Sequence, residues 1–365
     1  MIKQFSAEQN ELRTTVRDFF DRYSPEAEVR RLMATEKGYD PASWQKMAEQ
    51  LGLQGILVPE EYGGLGFGWV ELGIVLEEAG RALVCAPLLS SVIAGATVLA
   101  VGDERAKRRL LPGIAAGTRF VTVALPGDGT AASVRATRDA DGWTITGSLP
   151  LLLDGHIADT LLVPAATDEG AMLFEVDTSG SQVTAVPQKT LDQTRRLADV
   201  TVEGAAASAV GDAAAWSARA GHVRDLALVA LAAEQVGVAQ AALDMAVEYM
   251  KVRVQFGQPI GAFQALKHMA ADVFVEVETA RSAAYYALGA AADASDELPA
   301  AAALAAAYCA DASVTATHQN IQFHGGMGFT WEVPAHLYFK RARSNELLMG
   351  EPAAHRERLA QILGV

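Results

Sequence analysis

Leu12, Val16, Phe19 and Phe20 recur at helical spacing within an otherwise charged segment. Ser6 precedes them with Gln9 three residues on, a capping-box pattern that marks a helix start. Residues 41–51 place Trp44, Met47, Ala48 and Leu51 on one helical face. The string VPEEYGGLG then breaks the pattern, because Pro59 and the glycines Gly63, Gly64 and Gly66 force a turn-rich excursion. Helical spacing returns over residues 69–83, 90–101 and 104–116, so residues 1–118 are predicted to form an all-helical domain.

Near Thr118 the period changes. Short β-rich runs begin at Phe120, Ala132, Gly142, Thr160, Ala171 and Ala198, punctuated by Gly, Asp, Pro and Ser. Such a density of runs over residues 119–212 predicts an antiparallel sandwich or small barrel. From Ala213 the spacing is helical again, which predicts a helical bundle over 213–365. Helices, then a β block, then helices is an α+β order. It lacks the βαβ alternation of a Rossmann fold, which is therefore excluded.

Composition narrows the function classes. The 365 residues carry a formal net charge of −14, which argues against nucleic acid or an anionic membrane as the main partner. Cys85 and Cys309 show no disulfide or metal spacing and fit buried thiols in a reducing cytoplasm. The charged, amphipathic first residues do not read as a signal peptide. Charges interrupt the Ala-rich stretches at helical intervals, so no apolar run is expected to span a membrane. No His/Cys/Asp cluster has metal spacing, and neither a Gly-x-Ser-x-Gly motif nor a P-loop is present.

Two stretches between the long helical segments stand out. The first, YMKVRVQFGQPIGAFQ over 249–264, is predicted to end a helix near Phe256-Gly257, with Gly257 as the cap and Pro259 blocking continuation. Arg253 then lies on the last turn, where its guanidinium can complement the helix dipole or fork onto phosphate oxygens. The second, QNIQFHGGMGFTWE over 319–332, carries three glycines that allow close backbone approach. Arg253, Phe256 and Gly257 spell Arg-x-x-Phe-Gly; Gln322, Gly325, Gly326 and Gly328 spell Gln-x-x-Gly-Gly-x-Gly. Ordered this way within one helical domain, and joined by VPEEYGGLG, they make the chain resemble the acyl-CoA dehydrogenase family over essentially its whole length.

That resemblance implies FAD, an acyl-CoA substrate, and three sets of residues. In the family a flavin oxidises the Cα–Cβ bond of the thioester while a carboxylate removes the α-proton. The two motifs grip the FAD of a neighbouring subunit, which assigns Arg253, Gln255, Phe256, Gln322, Gly325, Gly326 and Gly328 to cofactor binding. The flavin ring is usually met by a Thr-Glu-Pro-Gly-x-Gly-Ser segment and a Trp-Ile-Thr segment. Here these positions read Thr122-Val-Ala-Leu-Pro-Gly-Asp-Gly and Leu151-Leu-Leu153, and leucine donates no hydrogen bond. The two family positions for the base fall on Met349, or Gly350 with a one-residue slip, and on Ala227. Asp225 and Glu234 are the acids near Ala227, and Glu351 is the one next to Gly350. Glu234 lies about 10 Å along the helix from Ala227, where an interhelical polar contact competes with a base role. Glu351 precedes Pro352 and fits an acid at a helix N-terminus.

The grip on a neighbour's FAD is thus kept, and the ring cradle and base are eroded. This pattern resembles the non-catalytic partner of α2β2 acyl-CoA dehydrogenases, some of which act on steroid side chains in actinobacteria. Two rivals stay open: an active homotetramer using Glu234 or Glu351, and a redox-inactive structural or acyl-CoA-binding subunit. Electron-transferring flavoprotein and oxygen both stay open as acceptor. His324 beside Gly325 is expected to be a satisfied half-buried histidine, and His336, Lys340, Arg341 and Arg343 a solvated basic face paired with acids.

Overall fold

The computed structural model describes residues 5–125, 133–140 and 142–365. They pack as two compact units: Met1–Arg30 with Trp69–Val84 and Leu228–Val365, and Arg31–Gly68 with Cys85–Ala227. The secondary structure changes where the pattern does, with helices before residue 118 and after 212 and strands between. Packing, however, joins the first helices to the C-terminal ones.

The first unit is helical. Its helices are α1 (Ala7–Tyr23), α4 (Trp69–Arg81), the later part of α7 (Ala213–Val252), α8 (Gln264–Ala292), α9 (Leu298–His324), α10 (Ala335–Leu348) and α11 (Pro352–Leu363). The expected capping box opens α1: Ser6 Oγ accepts the Gln9 N–H and Gln9 Oε1 accepts the Ser6 N–H. A buried charge network ties α1, α4 and α8 together. Glu77 accepts from Arg13, Arg281 and the Tyr285 hydroxyl, and Glu78 from Arg17 and Arg81. Burial alone would push the Glu78 carboxyl up; the surrounding arginines outweigh it and hold it below the usual carboxylate range.

The segments 213–252 and 298–329 are long and apolar enough to cross a membrane, contrary to the expectation from their spaced charges. The apolar window of 213–252 is 89% buried within the protein, as a core helix requires. Both cysteines are buried, and burial pushes the Cys309 thiol up to about 12.

The second unit carries the strands β1 (Val121–Val123), β2 (Arg135–Asp139), β3 (Gly142–Leu153), β4 (Thr160–Thr167), β5 (Gly170–Asp177), β6 (Val183–Pro187) and β7 (Leu197–Ala209). The pairings β4–β2, β2–β3, β3–β7, β7–β5 and β5–β4 close a ring, so this is a small barrel, with β1 on β4 and β6 on β7. It is mixed and not purely antiparallel, because β4 runs parallel to β1 and β2. Ile145, Leu149, Leu161, Val163, Phe174, Val176, Val200 and Val202 fill it, and Trp143 packs edge-on against Phe174. Residues 41–51 do not form one α-helix: α3 (Pro41–Lys46) passes into a π-helical turn over Met47–Leu51. The VPEEYGGLG stretch is the expected tight loop, in which the N–H groups of Leu65, Gly66 and Phe67 return to the carbonyls of Gly55, Val58 and Ile56.

Candidate functional site

The two motif stretches end neighbouring helices of the first unit. Helix α7 stops at Val252, five residues before the expected cap, Gly257. The chain then forms a hairpin, β8 (Val254–Gln255) paired with β9 (Gln258–Pro259), which closes through Phe256 and Gly257 at φ of 53° and 78°. Two residues at positive φ make the hairpin turn whose twist matches the strands, which is why Gly257 is a loop residue and not a cap. Phe256 adopts that conformation despite its Cβ, with its ring 91% exposed. The Arg253 N–H caps α7 on the Tyr249 carbonyl, and the Arg253 carbonyl accepts the Ile260 N–H. The Arg253 and Gln255 side chains are exposed beside the hairpin.

Helix α9 ends at His324, with Gln322 exposed on its last turn. Gly325 reverses the chain at φ 58°, ψ −138°, a conformation open to glycine, and a 3-10 turn follows over Gly325–Phe329. Gly326 needs glycine for neither reason: its φ is ordinary and a Cβ there would meet nothing within 4 Å. Its bare backbone faces open space, so a planar or phosphorylated group can approach it closely. The hairpin root and the glycine turn share a small core, in which Ala246, Met250 and Phe323 pack with Ile260 and Leu266. The Tyr249 and His324 rings stack at 4.1 Å. The structure thus brings Arg253 and the Gln322–Gly328 turn to one end of one unit, where an arginine fork, an amide and open backbone fit a dinucleotide's phosphates and ribose.

The candidate bases are placed differently. Glu234 on α7 is buried; its Oε1 accepts from Arg341 Nη1 and Asn345 Nδ2 of α10, both at 3.1 Å. That is the interhelical contact, a carboxylate already engaged. It also corrects the expectation of a solvated basic face, because Arg341 is only 2% exposed and His336 is buried, whereas Arg343 pairs with Glu346 as expected. Lys340 and Arg30 lie over the Trp331 ring. Glu351 is exposed at the start of α11, ahead of Pro352. The position matched to the base, Met349, caps α10, and Gly350 beyond it takes φ 106°. In the other unit, Ala227 is buried on α7.

The leucines matched to the ring-contacting segment are not the plain strand expected. A bulge lies between Leu149 and Leu152; Leu151 sits at φ 52° with its side chain exposed. Its N–H donates to Asp199 Oδ1, and the Leu153 carbonyl accepts the Thr122 hydroxyl. The Leu151 N–H and the Leu153 carbonyl are therefore engaged within the barrel, and Leu152 packs in its core. Of the other ring segment, Pro126, Gly127, Asp128 and Gly129 lie outside the described residues.

His324 is buried and satisfied. The Asn320 carbonyl can only accept, so Nδ1, at 2.8 Å, carries the proton. Burial lowers the His324 pKa, and burial followed by Lys340 and Arg30 lowers that of His336. Lowered folded-state values make stability present above the ordinary histidine value of about 6.5 and lost as pH falls below it. The urea midpoint is therefore expected to drop between pH 7.5 and 5.5; a midpoint that rises over that interval contradicts the buried, neutral assignment.

Comparison with known proteins decides the family. A model described as the acyl-CoA dehydrogenase N-terminal domain matches residues 6–118, and one described as its C-terminal domain matches residues 225–364. The chain is 36% identical over 355 residues to acyl-CoA dehydrogenase IpdE2 of Mycolicibacterium smegmatis, covering 97% of this chain and 98% of that one. It belongs to the acyl-CoA dehydrogenase family. Among solved structures it is similar to a variant of the Tcur3481-Tcur3483 steroid ACAD, with TM-score 0.89, 32% identity and 98% of each chain covered. It is also similar to the ChsE4-ChsE5 complex of Mycobacterium tuberculosis, with TM-score 0.91 and 28% identity, covering 100% of this chain and 99% of that one. The family is one of oxidoreductases and implies a flavin cofactor, as expected from the motifs.

Proposed function

We propose that this chain is the FAD-completing partner in an α2β2 acyl-CoA dehydrogenase. Arg253, Gln255, Phe256, Gln322 and the backbone of Gly325, Gly326 and Gly328 hold the adenosine-diphosphate end of an FAD whose ring lies in a catalytic neighbour. When bound, the flavin accepts the β-hydride of an acyl-CoA thioester; this chain's residues bind and orient its nucleotide half. The observation that carries the reading is the contrast between an exposed, pre-shaped grip and the absence of a free carboxylate at either base position. Met349 and Ala227 cannot take a proton, and Glu234 is committed to Arg341. Two similar solved structures bear names of two-component assemblies, one a steroid ACAD, which supports a paired architecture and a steroid-derived acyl-CoA as substrate class.

The test is the visible spectrum with FAD counted per subunit. The chain purified alone is expected to be colourless, and the chain co-expressed with its catalytic partner yellow, with one FAD per pair of unlike subunits. Stoichiometric FAD on the lone chain, with acyl-CoA oxidation, overturns the reading and returns the homotetramer. A colourless complex returns the redox-inactive subunit.

A further inference from the structure

We infer that the Tyr249–His324 stack is a positioning pair for the FAD grip, setting the height of Arg253, the residue directly after α7, against the glycine turn that follows α9. This rests on the proposed function above and adds residues outside both motifs' gripping positions. Two rungs join the two helices, and a third joins α7 to the turn. Asn320 Nδ2 donates to Met245 Sδ at 3.3 Å. One turn further along both helices, the Tyr249 and His324 rings stack at 4.1 Å with 25° between planes. The Tyr249 hydroxyl then reaches Met327 Sδ at 3.7 Å, inside the glycine turn itself. The positions 245 and 249 on one helix, and 320 and 324 on the other, share the four-residue helical step, so the rungs rise in register. The next four-residue step is Arg253, directly after α7, whose N–H bonds the Tyr249 carbonyl.

The stack sits where each helix is weakest. His324 is the last residue of α9, and Gly325 reverses the chain directly after it. Tyr249 is in the last turn of α7, and its carbonyl accepts the Arg253 N–H. Helix ends fray, and a fraying end would let Arg253 and the turn drift independently. The Nδ1–H bond to the Asn320 carbonyl fixes the plane of the His324 ring, so the stack transmits that fixed plane to Tyr249 and through its carbonyl to Arg253. An aliphatic pair would fill the same space without fixing a rotation.

The experiment measures FAD dissociation from the complex with the catalytic partner, together with its melting temperature. Tyr249→Leu and His324→Leu are each expected to weaken FAD binding about three- to tenfold, within the range that losing an aromatic pair carries. Tyr249→Phe, which keeps two stacked rings and leaves the His324 Nδ1–H bond in place, is expected to hold FAD within about twofold of the parent. Arg253→Ala is the control for the underlying reading. Weakened FAD in Arg253→Ala with unchanged FAD in both leucine variants overturns the positioning role and leaves the grip standing. Unchanged FAD in Arg253→Ala overturns the grip. A Tyr249→Phe variant as weak as Tyr249→Leu also overturns the stack, and it decides the matter if a leucine variant fails to fold.

Discussion

Glu234→Ala is expected to destabilise the chain by about 3–5 kcal/mol, the usual cost of stripping one partner from a buried ion pair. Arg341 is among the largest fully buried side chains, and the Glu234 carboxylate faces both its guanidinium and the Asn345 amide. Removing the carboxylate leaves a cation in a low-dielectric bundle with its counter-charge gone. Glu234→Gln keeps the shape and the acceptor oxygen and is expected to cost less. The double replacement Glu234→Leu with Arg341→Leu is expected to recover most of the loss, since hydrophobic pairs often substitute for buried ion pairs. Urea midpoints of the three variants check this. A change below about 1 kcal/mol for Glu234→Ala, the range of surface pairs, would mean that the carboxylate is not structurally engaged and would reopen its candidacy as a base.

The family motifs and the helix–β–helix order were legible because they depend on local spacing. Arginine, glycine and the apolar periods act within a few residues of themselves, and the capping box at Ser6 and Gln9 formed for the same reason. What escaped was set by which groups find each other, in one tight hairpin and otherwise across the chain. The hairpin after Val252 exists because Val254 and Gln255 find partners at Gln258 and Pro259, and this moved Gly257 from a helix cap to a hairpin loop. The closed barrel depends on β5 reaching both β4 and β7, which no strand's own composition encodes. Leu151 read as an apolar strand residue, but Asp199 draws its N–H into a bulge. Arg341 read as surface charge because its sequence neighbours are basic; Glu234, 107 positions away, is what makes its burial tolerable. The Tyr249–His324 stack left only a faint signal, two rings inside the quoted stretches that no motif position marks.

The other large effect is expected at Gly237, where alanine should cost about 3 kcal/mol or more, the upper range for overpacking. A Cβ on Gly237 would lie 1.8 Å from the backbone oxygen of Glu77, and one on Gly80 would lie 2.1 Å from the backbone oxygen of Glu234. Each helix carries a Glu followed three residues later by Gly, and each glycine receives the other helix's glutamate carbonyl. The obstacle is backbone on both sides, so no rotamer change relieves it, and α4 and α7 must separate. Separation would also strain the two charge systems rooted at this crossing, Glu77 with Arg13 and Arg281, and Glu234 with Arg341. Once one glycine has pushed the helices apart, the second meets less resistance. Gly80→Ala with Gly237→Ala is therefore expected to cost less than the sum of the single changes, the coupling that residues in one contact show. Denaturation of the two single variants and the double variant measures that coupling. Strict additivity would mean that the two close approaches yield independently, and that the crossing is not one rigid contact.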